Sequence, residues 1–262
     1  MPEKVSEVYA VKFAEHPGGT RGTGFHGTAG EPHDDPKPLD YFVWLIRSPD
    51  RDIVLDVGYT AETAMRRGRV HHREPSDALR LLNVIPEQVD TVILSHFHYD
   101  HTGDLDAFPQ ATFVVQEAEM AFWTGPYGPR KEFSRAVEPG DLERLLQLNY
   151  QGRLRFEDGA AEVADGVDVF AVGGHTPGLQ VTRVHTARGP VLLAADAAHF
   201  YANLEEEAPF AVFTDLRLMY RSYRTMKQLV DDPALIVPGH DPLVFDRFPA
   251  VPGLDGIAVR IA

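Results

Sequence analysis

Short apolar, β-branched runs separated by polar turns dominate the chain. The first three, Val8 to Phe13, Tyr41 to Ile46 and Ile53 to Val57, have the length and composition of strands. Between the first two lies Gly18 to Pro38, dense in Gly, Pro, His and Asp, which predicts a long irregular loop of the kind that usually carries function. A helix is predicted from Pro75-Ser76-Asp77 to about Asn83 with Ser76 as its cap. It leads to a strand at Thr91, a further strand over Ala111 to Gln116, and a short helix over Glu117 to Trp123 stopped by Gly125-Pro126. Asp141 to Leu148 carries Leu142, Leu145, Leu146 and Leu148, enough for an apolar helical face. The second half is again strand-rich, with runs at Leu154 to Phe156, Val167 to Val172, Leu179 to His185 and Val191 to Ala195. Asp215 to Val230 then places Leu216, Met219, Tyr220, Tyr223, Met226 and Val230 at helical spacing, a core-facing stripe, and Ala234 to Val237 forms a short strand. No linker or short repeat interrupts this order, so residues 1–262 are expected to form one domain with two similarly built halves.

Composition narrows the chemistry. With 262 residues and 44% hydrophobic content the chain can bury a substantial core. The absence of cysteine excludes disulfides and thiolate metal sites. A net charge of −14 repels nucleic acid and anionic membranes, so neither is expected as a partner. The densest basic cluster, Arg66-Arg67-Gly68-Arg69 with His71-His72-Arg73, reads as a solvated loop or helix end. The polar Met1 to Glu7 segment lacks the apolar core of a secretion signal, and no stretch approaches the ~20 apolar residues of a membrane span, so a cytoplasmic location is expected. Gly22 to Gly27 matches G-x-G-x-x-G, but Thr28-Ala29-Gly30-Glu31-Pro32 cannot continue as the helix a dinucleotide site needs.

The concentrated signal is Thr91-Val92-Ile93-Leu94-Ser95-His96-Phe97-His98-Tyr99-Asp100-His101, a strand running into three histidines and a carboxylate. Side chains two apart on an extended backbone point the same way, so His96 and His98 can grip one ion while Asp100 and His101 reach a second. Two more histidines stand where strands give way to Gly or Pro turns, His175 in Gly174-His175-Thr176-Pro177-Gly178 and His240 in Pro238-Gly239-His240-Asp241, and Asp196 ends the run Val191 to Ala195. Five histidines and two carboxylates suit two ions that share a bridging oxygen. Asp56, after the third strand, is a candidate to hold the second nitrogen of a ligating imidazole. His16, His26 and His33 fall in or beside the first long loop. Phe25, Trp123, Tyr127, Phe210 and Phe213 are candidate aromatic walls.

With these motifs in hand, the chain resembles the metallo-β-lactamase superfamily, whose His-x-His-x-Asp-His signature stands here as His96-Phe97-His98-Tyr99-Asp100-His101. The resemblance implies an α+β fold, an αββα sandwich of two mixed sheets with helices on the outer faces and the site along one edge. It further implies that His96, His98 and His175 hold a first metal, Asp100, His101 and His240 a second, and that Asp196 bridges them. Within the superfamily the chain is most similar to the N-acyl-homoserine lactonase group, through the motifs just quoted and Ala195-Asp196-Ala197, over about Tyr41 to Phe248. That implies opening of a lactone ring, an N-acyl-homoserine lactone or related small lactone, by attack of a metal-bridging hydroxide. The cofactors would be two divalent ions, zinc first, with Fe, Mn and Co as other occupants that His and Asp ligands accept. Asp100 or Asp196 would carry the proton to the leaving oxygen.

Two departures from the lactonase pattern stand out. Leu179 replaces a histidine frequent just after the Pro-Gly turn. His199 occupies the place, three residues past the bridging aspartate, where those lactonases usually carry a tyrosine that contacts the lactone carbonyl. Either His199 takes over that hydrogen bond, Tyr201 reaches in, or the substrate differs. Other readings are hydrolysis of another small ester, aryl ester or cyclic amide at the same site, thioester hydrolysis, and a non-catalytic metal-stabilised binder. The thioester hydrolases that use these ligands carry a helical C-terminal extension for which the 22 residues after His240 leave no room. The Gly18 to Pro38 loop is a candidate lid or arm of a homodimer.

Overall fold

The computed structural model describes residues 5–27 and 34–262. Its first sheet contains β1 (Glu7–His16), β2 (Leu39–Arg47), β3 (Asp52–Leu55), β4 (Val70–His71), β5 (Thr91–Ile93), β6 (Thr112–Gln116) and β7 (Leu154–Glu157). The second contains β8 (Ala160–Ala164), β9 (Val167–Ala171), β10 (Gln180–Thr186), β11 (Gly189–Leu193) and β12 (Ile236–Val237), and β13 (Ala258–Arg260) returns to the first. The strand orders are β13-β1-β2-β3-β5-β6-β7, with β4 added to the end of β1, and β12-β11-β10-β9-β8. Both sheets are mixed: β3, β5, β6 and β7 run parallel, as do β11 and β12, and the other pairs are antiparallel.

Alternation along the strands sorts side chains into layers. In β2, Phe42, Trp44 and Ile46 face the second sheet, where they meet Val169, Val184, Val191 and Leu193. Tyr41, Val43 and Leu45 face the other way, onto a layer that includes Leu79, Leu145 and Leu148 from helices. The outer face of the second sheet is covered by the helix Leu216–Gln228 through Met219, Tyr223 and Met226. The result is the expected αββα sandwich. Among the described residues no helix is long and apolar enough to cross a membrane.

Several elements differ from expectation. The helix at Pro75–Arg80 is entered from Glu74 rather than capped by Ser76, whose backbone N–H instead donates to Asp104 Oδ2 at 3.0 Å. The irregular loop after β1 contains a four-residue helix, Arg21–Gly24, with Thr20 and Thr23 in a reciprocal capping box, and it stops at Phe25 in extended backbone. Its continuation and His33 lie outside the described residues. The strands β4 and β8 lack a recognisable run of apolar, β-branched residues and form because their partners supply the ladder, whereas β13 lies in the apolar run Ile257 to Ile261 that sequence reasoning passed over.

Candidate metal centre

Every histidine and carboxylate singled out as a ligand follows the C-terminal end of a strand on one edge of the sandwich. His96, His98, Asp100 and His101 follow β5, His175 follows β9, Asp196 follows β11 and His240 follows β12. After β5 the chain bends at Ser95 and reaches His98 in extended backbone (φ −67°, ψ 156°), then turns into the short helix Tyr99–Thr102, which carries Asp100 and His101. Gly239 lets two of these loops touch, because a side-chain carbon there would sit 2.7 Å from the carbonyl oxygen of Ala195. Asp56 and Ala195, next to the site, are held at positive φ, 61° and 43°. Strained backbone beside a site is stored where surrounding structure enforces a geometry.

Among the described residues these loops build two clusters, and a third group, Asp196, His199 and His240, links them by sharing Asp196 with one and His240 with the other. His96, His98, His175 and Asp196 offer ligand atoms within 4.8 Å of one another, and so do Asp100, His101 and His240. Asp196 lies between them. Its Oδ2 is 3.1 Å from His175 Nε2 and 3.7 Å from His96 Nε2, whereas its Oδ1 is 2.9 Å from His240 Nε2 and 3.2 Å from His101 Nε2. His98 Nδ1 and His175 Nε2 face each other at 2.9 Å.

The second nitrogen of several of these rings is fixed by protein groups. His175 Nδ1 donates to the Val212 carbonyl (2.7 Å) and His240 Nδ1 to the Asp40 carbonyl (3.0 Å). His101 Nδ1 meets Asp56 Oδ2 at 2.7 Å, and His96 Nδ1 meets Ser95 Oγ at 3.0 Å, which in turn donates to Asp56 Oδ2 at 2.8 Å. Such partners set the tautomer and aim the remaining nitrogen. The aimed nitrogens, His96 Nε2 and His101 Nε2, are buried without a hydrogen-bond partner. A buried unpaired polar atom is costly unless something fills its valence. These donors fit divalent ions of the borderline class.

Electrostatics divide the ligand candidates: burial pulls His240 downward, but Asp196 and Asp100 outweigh it and raise its pKa. Burial, then the neighbouring imidazole of His101, holds His96 well below its usual range, and burial and His175 do the same to His98, which keeps both in the neutral form that ligation needs. For His101, burial pulls downward but Asp56, Asp196 and Asp100 together raise it well above the usual value. Asp196 is held well below the usual carboxylate range, burial being outweighed by His199, His240, His101 and His96.

His199 joins the constellation. It is fully buried, its Nε2 lies 3.0 Å from Asp196 Oδ2, and its ring stacks on Phe210 with centroids 3.4 Å apart. Burial drives its pKa down to about 3 against the pull of Asp196, so it is a neutral imidazole. Tyr201 is not brought to the site. Its backbone N–H bonds Asp241 Oδ2 at 2.9 Å, which starts the helix Tyr201–Glu205, and its ring packs in the core between the sheets with the Arg247 guanidinium 3.5 Å from its centre. Leu179 is fully buried against the helix side of the second sheet.

A cavity of about 220 Å³ opens onto the clusters, lined by His98, Asp100, Asp196 and His199 and walled by Tyr41, Tyr99, Arg69, His16 and Phe210. A larger hollow of about 730 Å³ near Arg47, Arg51 and Arg260 touches none of the ligand candidates. Of the proposed aromatic walls, Phe210 lines the cavity, Phe25 packs behind it, Trp123 and Phe213 line a smaller recess beside His98, and Tyr127 is exposed. Sequence reasoning did not single out Arg69 or Tyr41, because only the fold brings β4 and β2 to this mouth.

A profile described as the metallo-beta-lactamase superfamily matches residues 36–240, most of the chain. The chain belongs to the metallo-beta-lactamase superfamily. Among superfamily members, an N-acyl homoserine lactonase from a Bacillus species is 30% identical over 222 residues, covering 78% of this chain and 82% of that one. An N-acyl homoserine lactone hydrolase structure with the product N-hexanoyl-L-homoserine bound at its catalytic metal center superposes with a TM-score of 0.74 at 22% identity, covering 95% of this chain and 98% of that one. AidC, described as a dizinc quorum-quenching lactonase, superposes with a TM-score of 0.70 at 18% identity over 92% of this chain and 90% of that one. The two structures share the superfamily sandwich.

Proposed function

We propose that this chain is a metal-dependent hydrolase, built as one metallo-β-lactamase-like domain, that opens the ring of a small lactone of the N-acyl homoserine lactone kind or a relative of it. The observation that carries the reading is the placement of Asp196, one oxygen in each cluster, which is what a carboxylate bridging two ions requires. His96, His98 and His175 would hold one ion, Asp100, His101 and His240 the other, and the dizinc character of AidC supports zinc. When bound, two such ions supply Lewis acidity, polarising an ester carbonyl and making water acidic enough to attack near neutral pH.

The remaining work falls to this chain's own groups. Asp100 is less buried than the other ligand candidates and lines the cavity, so it is the carboxylate placed to pass a proton to the departing ring oxygen. His199, pinned by Phe210, gives its one N–H to Asp196 Oδ2 at 3.0 Å and so steadies that carboxylate, while its buried, unpartnered Nδ1 is left as an acceptor in a side chain that lines the same cavity. Tyr41, Tyr99 and Phe210 shield the reacting ester from bulk water.

Elemental analysis combined with a pH-stat assay of lactone opening tests the reading. The wild type is expected to hold two ions per chain and to open a lactone ring. Asp196→Asn should lose at least one ion and the activity. Full activity in that variant would overturn the bridged scheme.

A further inference from the structure

The basic run Arg66-Arg67-Gly68-Arg69 divides into two parts with different environments. Arg66 and Arg67 end the helix Ala61–Arg67 and are neutralised: Arg66 pairs with Glu62 (2.6 Å) and Glu138 (2.9 Å), and Arg67 pairs with Glu138 at 2.7 Å. Gly68 then takes the left-handed conformation (φ 64°, ψ 41°), which stops the helix and turns the chain into β4. Arg69 thereby leaves its neighbours and lines the cavity that His98, Asp100, Asp196 and His199 also line.

There it is half-buried and its hydrogen-bond partners are neutral. Its Nε donates to Tyr99 Oη at 3.2 Å, and Tyr99 Oη is 3.0 Å from Tyr41 Oη. Its NH1 donates to His16 Nδ1 at 3.2 Å, and burial followed by the Arg69 charge lowers the pKa of His16, which keeps that ring neutral. Among the described residues NH2 has no partner. Asp100 acts on the guanidinium through space without forming an ion pair with it, and its charge, like that of Asp196, is engaged by the histidine clusters. A half-buried guanidinium with no carboxylate ion pair among the described residues keeps part of its planar fork available to an incoming carboxylate. The cavity, about 220 Å³, is smaller than the ~300–1,000 Å³ that encloses drug-sized ligands, which favours a compact substrate.

We propose that Arg69 forms an anion subsite that makes the site select small lactones carrying an ionised carboxylate beside the ring. The inference rests on the lactone-opening function proposed above and narrows its substrate class.

The test uses metal-loaded protein and two matched pairs of ligands: a γ-lactone with and without a carboxylate, followed for turnover, and the corresponding γ-lactams, followed for binding by calorimetry. Wild type is expected to bind the carboxylated lactam at least tenfold more tightly than the neutral one, and to show a similar advantage in kcat/KM carried by KM. Arg69→Met should shrink both advantages to within about twofold, and Arg69→Lys should restore part of them. A structural role alone would lower both members of each pair together, and that result would overturn the subsite. Equal binding of the two lactams by wild type would overturn it as well. If neither lactone is opened while the lactam preference persists and depends on Arg69, the subsite stands and the proposed reaction falls.

Discussion

Replacing Asp56 by asparagine removes one charge and no volume, at a residue that serves both metal clusters. Asp56 Oδ1 accepts the Ser95 backbone N–H (2.7 Å), and Oδ2 accepts both His101 Nδ1–H (2.7 Å) and the Ser95 hydroxyl (2.8 Å). That hydroxyl in turn receives His96 Nδ1–H. One carboxylate thus sets the tautomer of a histidine in each cluster, directly for His101 and through Ser95 for His96. Asparagine keeps a single acceptor oxygen, so its NH2 must face either the Ser95 N–H or the His101–Ser95 pair. At least one buried donor is then stranded, at a cost of about 1–3 kcal/mol, and the orienting partner of a ligating imidazole is typically worth 10–100-fold in metal affinity. The backbone is no confounder, since asparagine tolerates the positive φ of 61° as well as aspartate does. Chelator-competition titration of metal-stripped protein should show both dissociation constants rising by about 10–100-fold, with an unchanged circular dichroism spectrum. Affinities within twofold of wild type would refute the orienting role, and loss confined to one ion would refute the relay through Ser95.

Three further outcomes follow from other parts of the fold. Glu119 is buried and accepts the N–H groups of Phe97 (2.9 Å), Gly178 (2.8 Å) and the Trp123 indole (2.7 Å), so Glu119→Ala strands three donors. It should cost at least about 3 kcal/mol in urea denaturation; a loss below about 1 kcal/mol would contradict this. Asp141 is raised to about 7 by burial and then by Glu138, against the pull of Thr102, Arg66 and Arg67. Because the folded carboxyl binds its proton more tightly than the unfolded one, its destabilisation grows as pH rises from about 4 to 7. Asp141→Asn should therefore stabilise the protein at pH 8 by about 1–3 kcal/mol, discounted for partial exposure, and by nothing near pH 4, as thermal melts across pH would show. Stripping the metal should lower the melting temperature of wild type, and re-adding zinc should restore it, because ligands drawn from separate loops pull the fold together; an unchanged melt would count against the centre.

The site was legible in the sequence because its residues sit at strand ends, in motifs short enough for local geometry to decide their aim. His96 and His98, two residues apart just past β5, bring their ring centroids to 4.5 Å from each other, and His175 and His240 stand beside Gly and Pro turns. The sandwich is what the resemblance of those motifs to the superfamily implies, and the strand-rich halves with amphipathic helices agree with it. What escaped was set by distant packing. The strand β8, Ala160–Ala164, is alanine-rich and forms because β9 offers its edge. From sequence Asp56 is a candidate support for an unspecified ligating imidazole, and only its three hydrogen bonds show which groups it holds. His199 and Tyr201 were indistinguishable as stand-ins for a lactonase tyrosine until the helix after Phe200 carried Tyr201 into the core. Arg69 looked like its neighbours because composition does not register a left-handed glycine that turns one arginine of a triplet away from the others.

That turn separates two jobs along four consecutive residues. Arg66 and Arg67 anchor the helix to Glu138, whereas Arg69 hangs from a two-residue strand at the rim. An exchange at position 69 therefore changes the charge of the rim and its hydrogen bonds to Tyr99 and His16, while the ion pairs that Arg66 and Arg67 make with Glu138 stay in place.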